Sequence, residues 1–376
     1  MTRQRQKRLR VAVALGAALL AVACLGGCLP SAEDLQAIDY TPIVGEDWAV
    51  STPEAQGLDP MLVATLYYDA ARLDTIHSLL VIKDGRLIAE DYFHEGAIER
   101  KDRIQSVTKS FTGMLVGIAI DQGLLGGTNE KMLDFFPETA GQITDPRKMQ
   151  ITIRELLEMR SGYPSEESHE DLWAGLLSGH YVPLIEAFPL TADPGTKFQY
   201  SNLSSNWLGI IVSRESGLTL KSFAQEHLFG PLGINPGEWG TDAEGHNNGC
   251  GDLHLTARDM ANFGQLILDD GLWDGEEIIP ESWILRSLET ISEHARDNVG
   301  SLRQIGYGYQ WWSATAGAHR VDFAWGHGGQ VIALVDALDL VIVTTADPFW
   351  LENSGRSWRH ESAQLRLVGD FVASLP

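Results

Sequence analysis

A serine and a lysine three residues apart, Ser106 and Lys109, are the residues whose types and spacing point most directly to chemistry. At that spacing on a helix, a hydroxyl and an amine lie on the same face. A serine hydroxyl is a weak nucleophile at neutral pH unless a neighbouring group takes its proton, and a desolvated lysine can do so. The pair predicts nucleophilic catalysis, although a chain of 376 residues is expected to contain about one such pair by chance.

Two further motifs follow the pair along the chain. The first is Tyr200-Ser201-Asn202, and the second is His327-Gly328-Gly329, which leads into an apolar run that begins at Gln330. A lysine ammonium makes a neighbouring phenolate easier to form, so Tyr200 is a second candidate for the base. The sequence leaves open whether Lys109 or Tyr200 takes the serine proton. Asn202 can hold Lys109 and a substrate carbonyl by hydrogen bonds.

Hydrophobic periodicity predicts the elements that must position these residues. Two apolar segments, 77–82 and 86–93, flank Asp84-Gly85, which is a strong signal for a two-residue β-hairpin turn. Apolar residues with helical spacing follow Ser106, which is therefore expected to begin a buried helix. The same criterion predicts further helices and strands. The helices are 153–159, 203–213, 220–228, 256–268, 281–288 and 359–375, and the strands are 307–312, 330–335 and 340–345.

These elements predict an α+β fold in which an antiparallel sheet is flanked by helices and carries a large helical insertion. The sheet is expected to draw on residues of about 46–105 and 300–376, and the helical part on about 106–299, so that 46–376 forms one catalytic domain. No motif for a zinc site, a nucleotide phosphate loop or a dinucleotide is present. We therefore expect no metal and no cofactor.

The first 28 residues have the pattern of an export signal. Five basic residues within 1–10 precede an apolar stretch, 11–23, and the small residues before Cys28 resemble the lipobox of bacterial lipoproteins. We expect cleavage before Cys28 and its lipid modification, with Cys24 as the alternative site and an uncleaved membrane anchor as the alternative outcome. Residues 29–45 are predicted to be a tether. The expected location is the cell envelope, on the periplasmic or extracellular face.

The charge of the chain bears on its partners. With 51 acidic and 28 basic residues the net charge is -23, which repels nucleic acid. The expected partners are a small-molecule ester, amide or peptide substrate and a membrane, held through the lipid anchor. No protein partner is predicted. Some of the 11 tryptophans could line an apolar pocket for the acyl group, and Trp325 is the best candidate because it lies two residues before His327.

The three motifs in this order resemble those of the serine β-lactamase and penicillin-binding-protein superfamily, in which S-x-x-K, Y-x-N and H-x-G elements surround one cleft. The similarity covers almost everything from residue 46 onward and is to the class C β-lactamase-like serine hydrolases. Because tyrosine heads the second motif and histidine the third, it is greatest to carboxylesterases, D-aminopeptidases and nylon-oligomer hydrolases.

The resemblance implies an acyl-enzyme formed on Ser106, with the backbone amides of Ser106 and Gln330 as the oxyanion hole. Gly328 and Gly329 would let the substrate lie against the strand. His327 replaces a lysine that, in true β-lactamases, favours substrates with a carboxylate, so ester or amide hydrolysis is expected ahead of penicillin hydrolysis. Two alternatives are a DD-peptidase or weak β-lactamase, and a non-catalytic surface-binding lipoprotein.

Overall fold

The structure, a computed structural model, describes residues 30–350 and 357–376. The chain divides into two compact units, residues 1–38 and 39–376. Most of the first unit, including Cys28 and Cys24, lies outside the described residues, so the predicted signal and lipidation site have no structural counterpart here. No helix in the two described ranges is both long and apolar enough to cross a membrane.

Antiparallel pairing organises the strands of the second unit. The strands are β1 (Ile76–Lys83), β2 (Arg86–Tyr92), β3 (Asp102–Arg103), β4 (His254–Leu255), β5 (Leu272–Trp273), β6 (Glu276–Glu277), β7 (Arg303–Tyr307), β8 (Trp312–Ala316), β9 (His319–Gly326), β10 (Gln330–Val335) and β11 (Leu340–Ala346). Seven of them form one sheet in the order β2-β1-β11-β10-β9-β8-β7. Two small ribbons pair β3 with β4 and β5 with β6. The predicted hairpin turn joins β1 and β2, with Asp84 and Gly85 both at positive φ.

The first unit contains a short helix, α1 (Ala32–Gln36). In the second unit, helices cover the sheet and fill the insertion. They are α2 (Pro60–Ala70), α3 (Thr108–Asp121), α4 (Ile153–Leu157), α5 (Glu170–Leu177), α6 (Leu184–Ala187), α7 (Asn202–Ser216), α8 (Leu220–Ala224), α9 (Ala257–Leu268), α10 (Glu281–Leu288) and α11 (Ser357–Ser374). Single turns of 3₁₀ helix occur at Glu54–Gln56, Gln105–Val107, Met132–Phe135, Ala140–Gln142, Pro146–Gln150, Glu166–Ser168 and Asp336–Leu338, and a π turn at Gln225–Phe229. This architecture confirms the predicted α+β class.

The central strands are buried on both faces. Every residue of β10 and β11 is buried, as expected for strands covered on both sides. Helix α9 packs on β1, β10 and β11, whereas α2 and α11 pack on each other and on β1, β8 and β10. The approach of α9 is close: a Cβ on Gly264 would lie 2.7 Å from a Val341 methyl carbon, so a larger residue there would displace its neighbours.

The structure differs from the sequence-based expectations in two places. The predicted strand 307–312 is interrupted: residues 308–311 form a turn between β7 and β8, in which Gln310 adopts a positive φ of 62°. Its buried side-chain amide donates to the carbonyls of Leu156 and Leu157 and accepts a hydrogen bond from Ser205, which holds the turn. Within the predicted tether 29–45, α1 forms a short helix and residues from Asp39 onward belong to the second unit.

Candidate active site

Ser106 lies in the 3₁₀ turn Gln105–Val107 that leads directly into α3. The preceding residue, Gln105, has φ = 50°, a left-handed conformation that non-glycine residues adopt rarely and that marks local strain. Gly326 of β9 backs this turn, since a Cβ there would lie 2.4 Å from the carbonyl oxygen of Ile104. The turn leaves Ser106 partly exposed at the start of a helix, where free backbone amides favour an anion.

Lys109 lies beneath Ser106 and is 1% exposed. Its ammonium donates to Ser106 Oγ at 2.8 Å, to Asn202 Oδ1 at 2.8 Å and to the Cys250 carbonyl at 2.9 Å. Burial alone would lower the pKa of Lys109, but the neighbouring Tyr200, Cys250 and Glu166 outweigh burial and hold the pKa above its ordinary value. Lys109 is therefore desolvated, which is a condition for its acting as a base, yet its surroundings favour the charged form.

Tyr200 joins Ser106 and Lys109. Lys109 Nζ lies 4.9 Å from the centroid of the Tyr200 ring, and the ring stacks on Trp312 with centroids 5.5 Å apart. Burial raises the pKa of the Tyr200 phenol, and the positive charge of Lys109 together with hydrogen bonds from Ser106 and Lys109 offsets only part of the effect. The resting site thus pairs an ammonium with a neutral phenol.

A buried carboxylate that sequence reasoning missed holds the second motif in place. Glu166 accepts hydrogen bonds from the Ser201 hydroxyl at 2.7 Å and from the backbone amides of Asn202 and Leu203, both at 2.9 Å, at the N-terminus of α7. Burial raises the pKa of Glu166, and these hydrogen bonds oppose the increase. Glu166 fixes the start of α7 and so aims Asn202 at Lys109. No fixed spacing in the sequence connects Glu166 with the motif.

The third motif is tied to helix α11. The Nδ1 atom of His327 lies 2.9 Å from Glu361 Oε2, and the same oxygen accepts a hydrogen bond from the Gly328 amide at 3.2 Å. Gly328 and Gly329 have φ values of 85° and 102°, which glycine adopts without strain. Gln330 begins β10, and its buried side chain exchanges two hydrogen bonds with the backbone of Ala346. The sequence did not point to Glu361.

A cleft of about 470 Å³ brings the predicted site residues together. Ser106, Tyr200, Asn202, Trp325 and His327 line it, while Lys109, Gly328, Gly329 and Gln330 are buried beside it. The remaining lining residues are Gln105, Glu167, Trp173, Arg296, Trp312, Phe349, Trp358 and Glu361. The aromatic residues make one wall of the cleft apolar, which suits an organic acyl or leaving group.

The tryptophans considered as pocket residues fall into two groups. Trp325, Trp312 and Trp173 line the cleft, and Trp173 is 44% exposed. Trp239 and Trp311 are buried in the main hydrophobic core instead.

One group of possible metal ligands occurs in the described ranges 30–350 and 357–376, away from the cleft. Asp242, Glu244 and His246 place donor atoms within 4.8 Å of one another. Asp242 already accepts hydrogen bonds from the backbone amides of both other residues and lies 3.0 Å from His246 Nδ1. These contacts explain the cluster without a metal, because they hold the 242–246 loop together.

Comparison with known proteins places this cleft in a family. The family model described as Beta-lactamase matches residues 77–347, from β1 to just beyond the end of β11, and the match includes all three motifs. The chain belongs to the beta-lactamase family. This confirms the resemblance drawn from Ser106, Tyr200 and His327 with their neighbours.

The family relatives differ in length and name. The chain is 27% identical over 295 residues to a 6-aminohexanoate-dimer hydrolase of Paenarthrobacter ureafaciens, covering 75% of this chain and 74% of that protein. It is 24% identical over 224 residues to Beta-lactamase-like protein 2 of Dictyostelium discoideum, covering 52% of this chain and 40% of that protein. The chain therefore spans less than half the length of the second relative.

Solved structures of the family share the fold. EstCE1, a hydrolase with promiscuous acyltransferase activity, aligns with a TM-score of 0.66 and 16% identity over 81% of this chain and 98% of its own. The D-amino acid amidase of Ochrobactrum anthropi aligns with a TM-score of 0.59 and 17% identity, over 80% of this chain and 95% of its own. At these identities the likeness establishes the fold alone.

Proposed function

We propose that the protein is an exported serine hydrolase that cleaves ester or amide bonds through an acyl-enzyme on Ser106. The observation that carries the proposal is the contact between Lys109 Nζ and Ser106 Oγ at 2.8 Å, at the base of an open cleft. A hydroxyl held beside a buried amine and a phenol has a nearby group to which its proton can pass. The hydrolase names of family relatives support the reaction class.

In the first half of the reaction, Ser106 Oγ attacks the substrate carbonyl carbon and its proton passes to the Lys109–Tyr200 pair. Because the resting pair is an ammonium and a phenol, one of them must first lose a proton to become the base. The tetrahedral intermediate then expels the alcohol or amine, which takes a proton from the pair. The ester bond to Ser106 remains as the acyl-enzyme.

In the second half, water attacks the acyl-enzyme and transfers a proton to the pair, and the carboxylic acid leaves as Ser106 recovers its proton. We propose that the backbone amides of Ser106 and Gln330 stabilise the oxyanion in both halves. One such donor is typically worth about 2.7–4 kcal/mol of the barrier. The position of Gln330 at the first residue of β10, immediately after the His327–Gly329 turn, supports this role.

The geometry at His327 supports ester and amide substrates ahead of β-lactams. Glu361 lies against the imidazole, so even a protonated His327 forms a pair without net charge. A lysine at this position would offer a net positive charge to a substrate carboxylate. Relatives named as a 6-aminohexanoate-dimer hydrolase and a D-amino acid amidase also act on amide-type compounds, by their names.

Labelling with an alkyl fluorophosphonate tests the proposal. We expect one adduct per chain by intact-mass measurement, located on Ser106 by peptide mapping, and no adduct in acid-denatured protein. An unlabelled protein, or an adduct on another residue, would contradict the acyl-enzyme mechanism. Turnover of a 4-nitrophenyl ester beside a chromogenic cephalosporin separates the esterase from a β-lactamase, and an absence of both activities with retained ligand binding would favour a non-catalytic binding protein.

Export and lipid anchoring complete the proposal and rest on the sequence of the first 28 residues. Metabolic labelling with palmitate in a bacterial host is expected to mark the wild-type protein and the Cys24→Ser variant, and to fail in Cys28→Ser. Labelling that survives in Cys28→Ser but is lost in Cys24→Ser would place the lipidation site at Cys24. Labelling that survives in both variants would contradict lipidation at either cysteine.

A further inference from the structure

Arg296 lies over the rings of two tryptophans at the wall of the cleft. It lies in the segment between α10 and β7, and its guanidinium carbon is 4.5 Å from the centroid of Trp325 and 4.7 Å from that of Trp358. The two indole rings are themselves 5.7 Å apart. Cation–π contacts with both rings limit the positions open to this long side chain. These ring contacts position Arg296 without an ion pair to any residue that the structure describes.

The N–H donors of Arg296 have no acceptor among the described residues. Its guanidinium makes no hydrogen bond and no ion pair with any residue of 30–350 or 357–376, although the chain carries 51 acidic residues. A guanidinium presents five N–H donors in a planar fork that matches a carboxylate. The neighbouring Trp325 is 5% exposed, and its Nε1–H also lacks an acceptor in the described part of the chain. The guanidinium of Arg296 and the indole of Trp325 thus present neighbouring N–H donors that have no acceptor among the described residues.

The charges around Arg296 indicate which anion fits. Arg296 is the only lysine or arginine among the described residues that line the cleft, which also include the carboxylates of Glu167 and Glu361. Glu361 is engaged by His327 and the Gly328 amide. A single guanidinium beside these carboxylates matches a monoanion, whereas a phosphate dianion would be repelled. A planar carboxylate is the monoanion that the guanidinium fork binds through two parallel hydrogen bonds.

We propose that Arg296, with the Trp325 indole, binds a carboxylate of the substrate. This inference rests on the proposed function, because it assigns a substrate class to the same cleft: esters or amides that carry a free carboxylate in the acyl or the leaving group. From the sequence, His327 in place of a lysine is expected to weaken the preference for substrates with a carboxylate, and Arg296 would restore that preference. The positive charge at the cleft wall is that of Arg296, beside Trp325 and Trp358, and does not come from a lysine in the third motif.

Two matched pairs of substrates test the proposal. In the first pair the acyl group differs: 4-nitrophenyl hydrogen adipate against its methyl ester. In the second the leaving group differs: 4-acetoxybenzoate against methyl 4-acetoxybenzoate. We expect kcat/KM to favour the acid in at least one pair, and Arg296→Gln to lower that acid-to-ester ratio about tenfold or more. Arg296→Lys is expected to lower the ratio less, because it keeps the charge and loses the fork. The pair that responds shows on which side of the scissile bond the carboxylate lies.

Arg72→Gln is the matched control. Arg72 also lies over an aromatic ring, 5.5 Å from the centroid of Tyr68, but it is exposed and lines a different groove. This variant is expected to keep the wild-type ratio for both pairs. A change of the ratio in Arg72→Gln equal to that in Arg296→Gln would show a general effect of charge and would overturn the assignment to Arg296.

A binding measurement separates failure of this inference from failure of the proposed function. In the Ser106→Ala protein, calorimetry is expected to show tighter binding of the preferred acid than of its methyl ester, and the added Arg296→Gln change should remove the difference. Equal affinities and equal kcat/KM ratios in all variants would overturn the carboxylate site while leaving the hydrolase intact. Absent turnover and absent labelling of Ser106, with the difference in binding preserved, would overturn the hydrolase and leave the carboxylate site.

Discussion

Replacing Ser106 by alanine is expected to lower kcat for a 4-nitrophenyl ester by about 10⁴-fold or more and to abolish fluorophosphonate labelling. Covalent catalysis is lost completely when the nucleophile is removed, and only binding and oxyanion stabilisation remain. The fold should tolerate the change, because Ser106 is partly exposed and its hydroxyl makes few contacts. Steady-state kinetics and thermal unfolding of the same preparation test both statements.

Ser374→Ala provides the control for a serine outside the site. Ser374 is exposed near the end of α11, where its hydroxyl donates to the Phe371 carbonyl at 2.6 Å, and it lines the groove between α2 and α11 rather than the cleft. This variant is expected to keep wild-type kinetics. Turnover above about one per cent of wild type in folded Ser106→Ala would show that another group is the nucleophile.

Replacing Lys109 by methionine is expected to lower kcat/KM by about 10³-fold, within the usual range for loss of a general base. The change also leaves the Asn202 and Cys250 oxygens without their donor in a buried position, so Tm should fall. Lys109→Arg keeps the positive charge but provides a group that cannot act as a base, and it separates the two effects. A Lys109→Arg protein with near wild-type kcat/KM would exclude Lys109 as the proton acceptor.

The pH dependence of kcat/KM identifies which member of the pair accepts the proton. Both pKa values are raised in the resting enzyme, so the base form appears only as the pH rises, and kcat/KM should still be increasing above pH 8. In Tyr200→Phe, the largest influence that raises the pKa of Lys109 is removed and burial, which lowers it, is left unopposed by the phenol. If Lys109 is the base, the ascending limb moves to lower pH in Tyr200→Phe; if Tyr200 is the base, the limb disappears with the activity. A wild-type plateau below pH 8 would contradict the resting state described here.

Features set by local chemistry were predictable from the sequence. The Asp84-Gly85 turn and the helix after Ser106 each depend on residues adjacent in the chain, and both occur where they were expected. The prediction of a strand over 307–312 failed because the structure there depends on residues distant in the chain. An aromatic run favours a strand, but the turn there depends on partners of the Gln310 side chain in α4 and α7, which periodicity cannot reveal.

The supporting residues of the site could not be predicted, for a related reason. Glu361 and Arg296 line the cleft and the buried Glu166 supports Asn202 behind it. The three residues come from separate segments, and no spacing rule connects them to the motifs. Each makes a contact with a distant segment: Glu166 accepts from the amides at the start of α7, Glu361 contacts His327, and Arg296 lies over two indole rings. Such contacts between distant segments can be recognised only in the folded structure.

The pairing of β1 with β11 sets the order in which the catalytic machinery can be completed. β1 lies at the start of the domain and β11 near its end, and the Ser78 and Thr345 hydroxyls lie 2.7 Å apart across the pair. Contacts between segments so far apart in sequence form late and slow the folding of a domain. A nascent chain therefore carries Ser106 long before it has the β9–β10 wall and α11 that complete the cleft. The cleft, which residues of β9 and α11 help to line, is therefore complete only after the last strands and α11 have been synthesised.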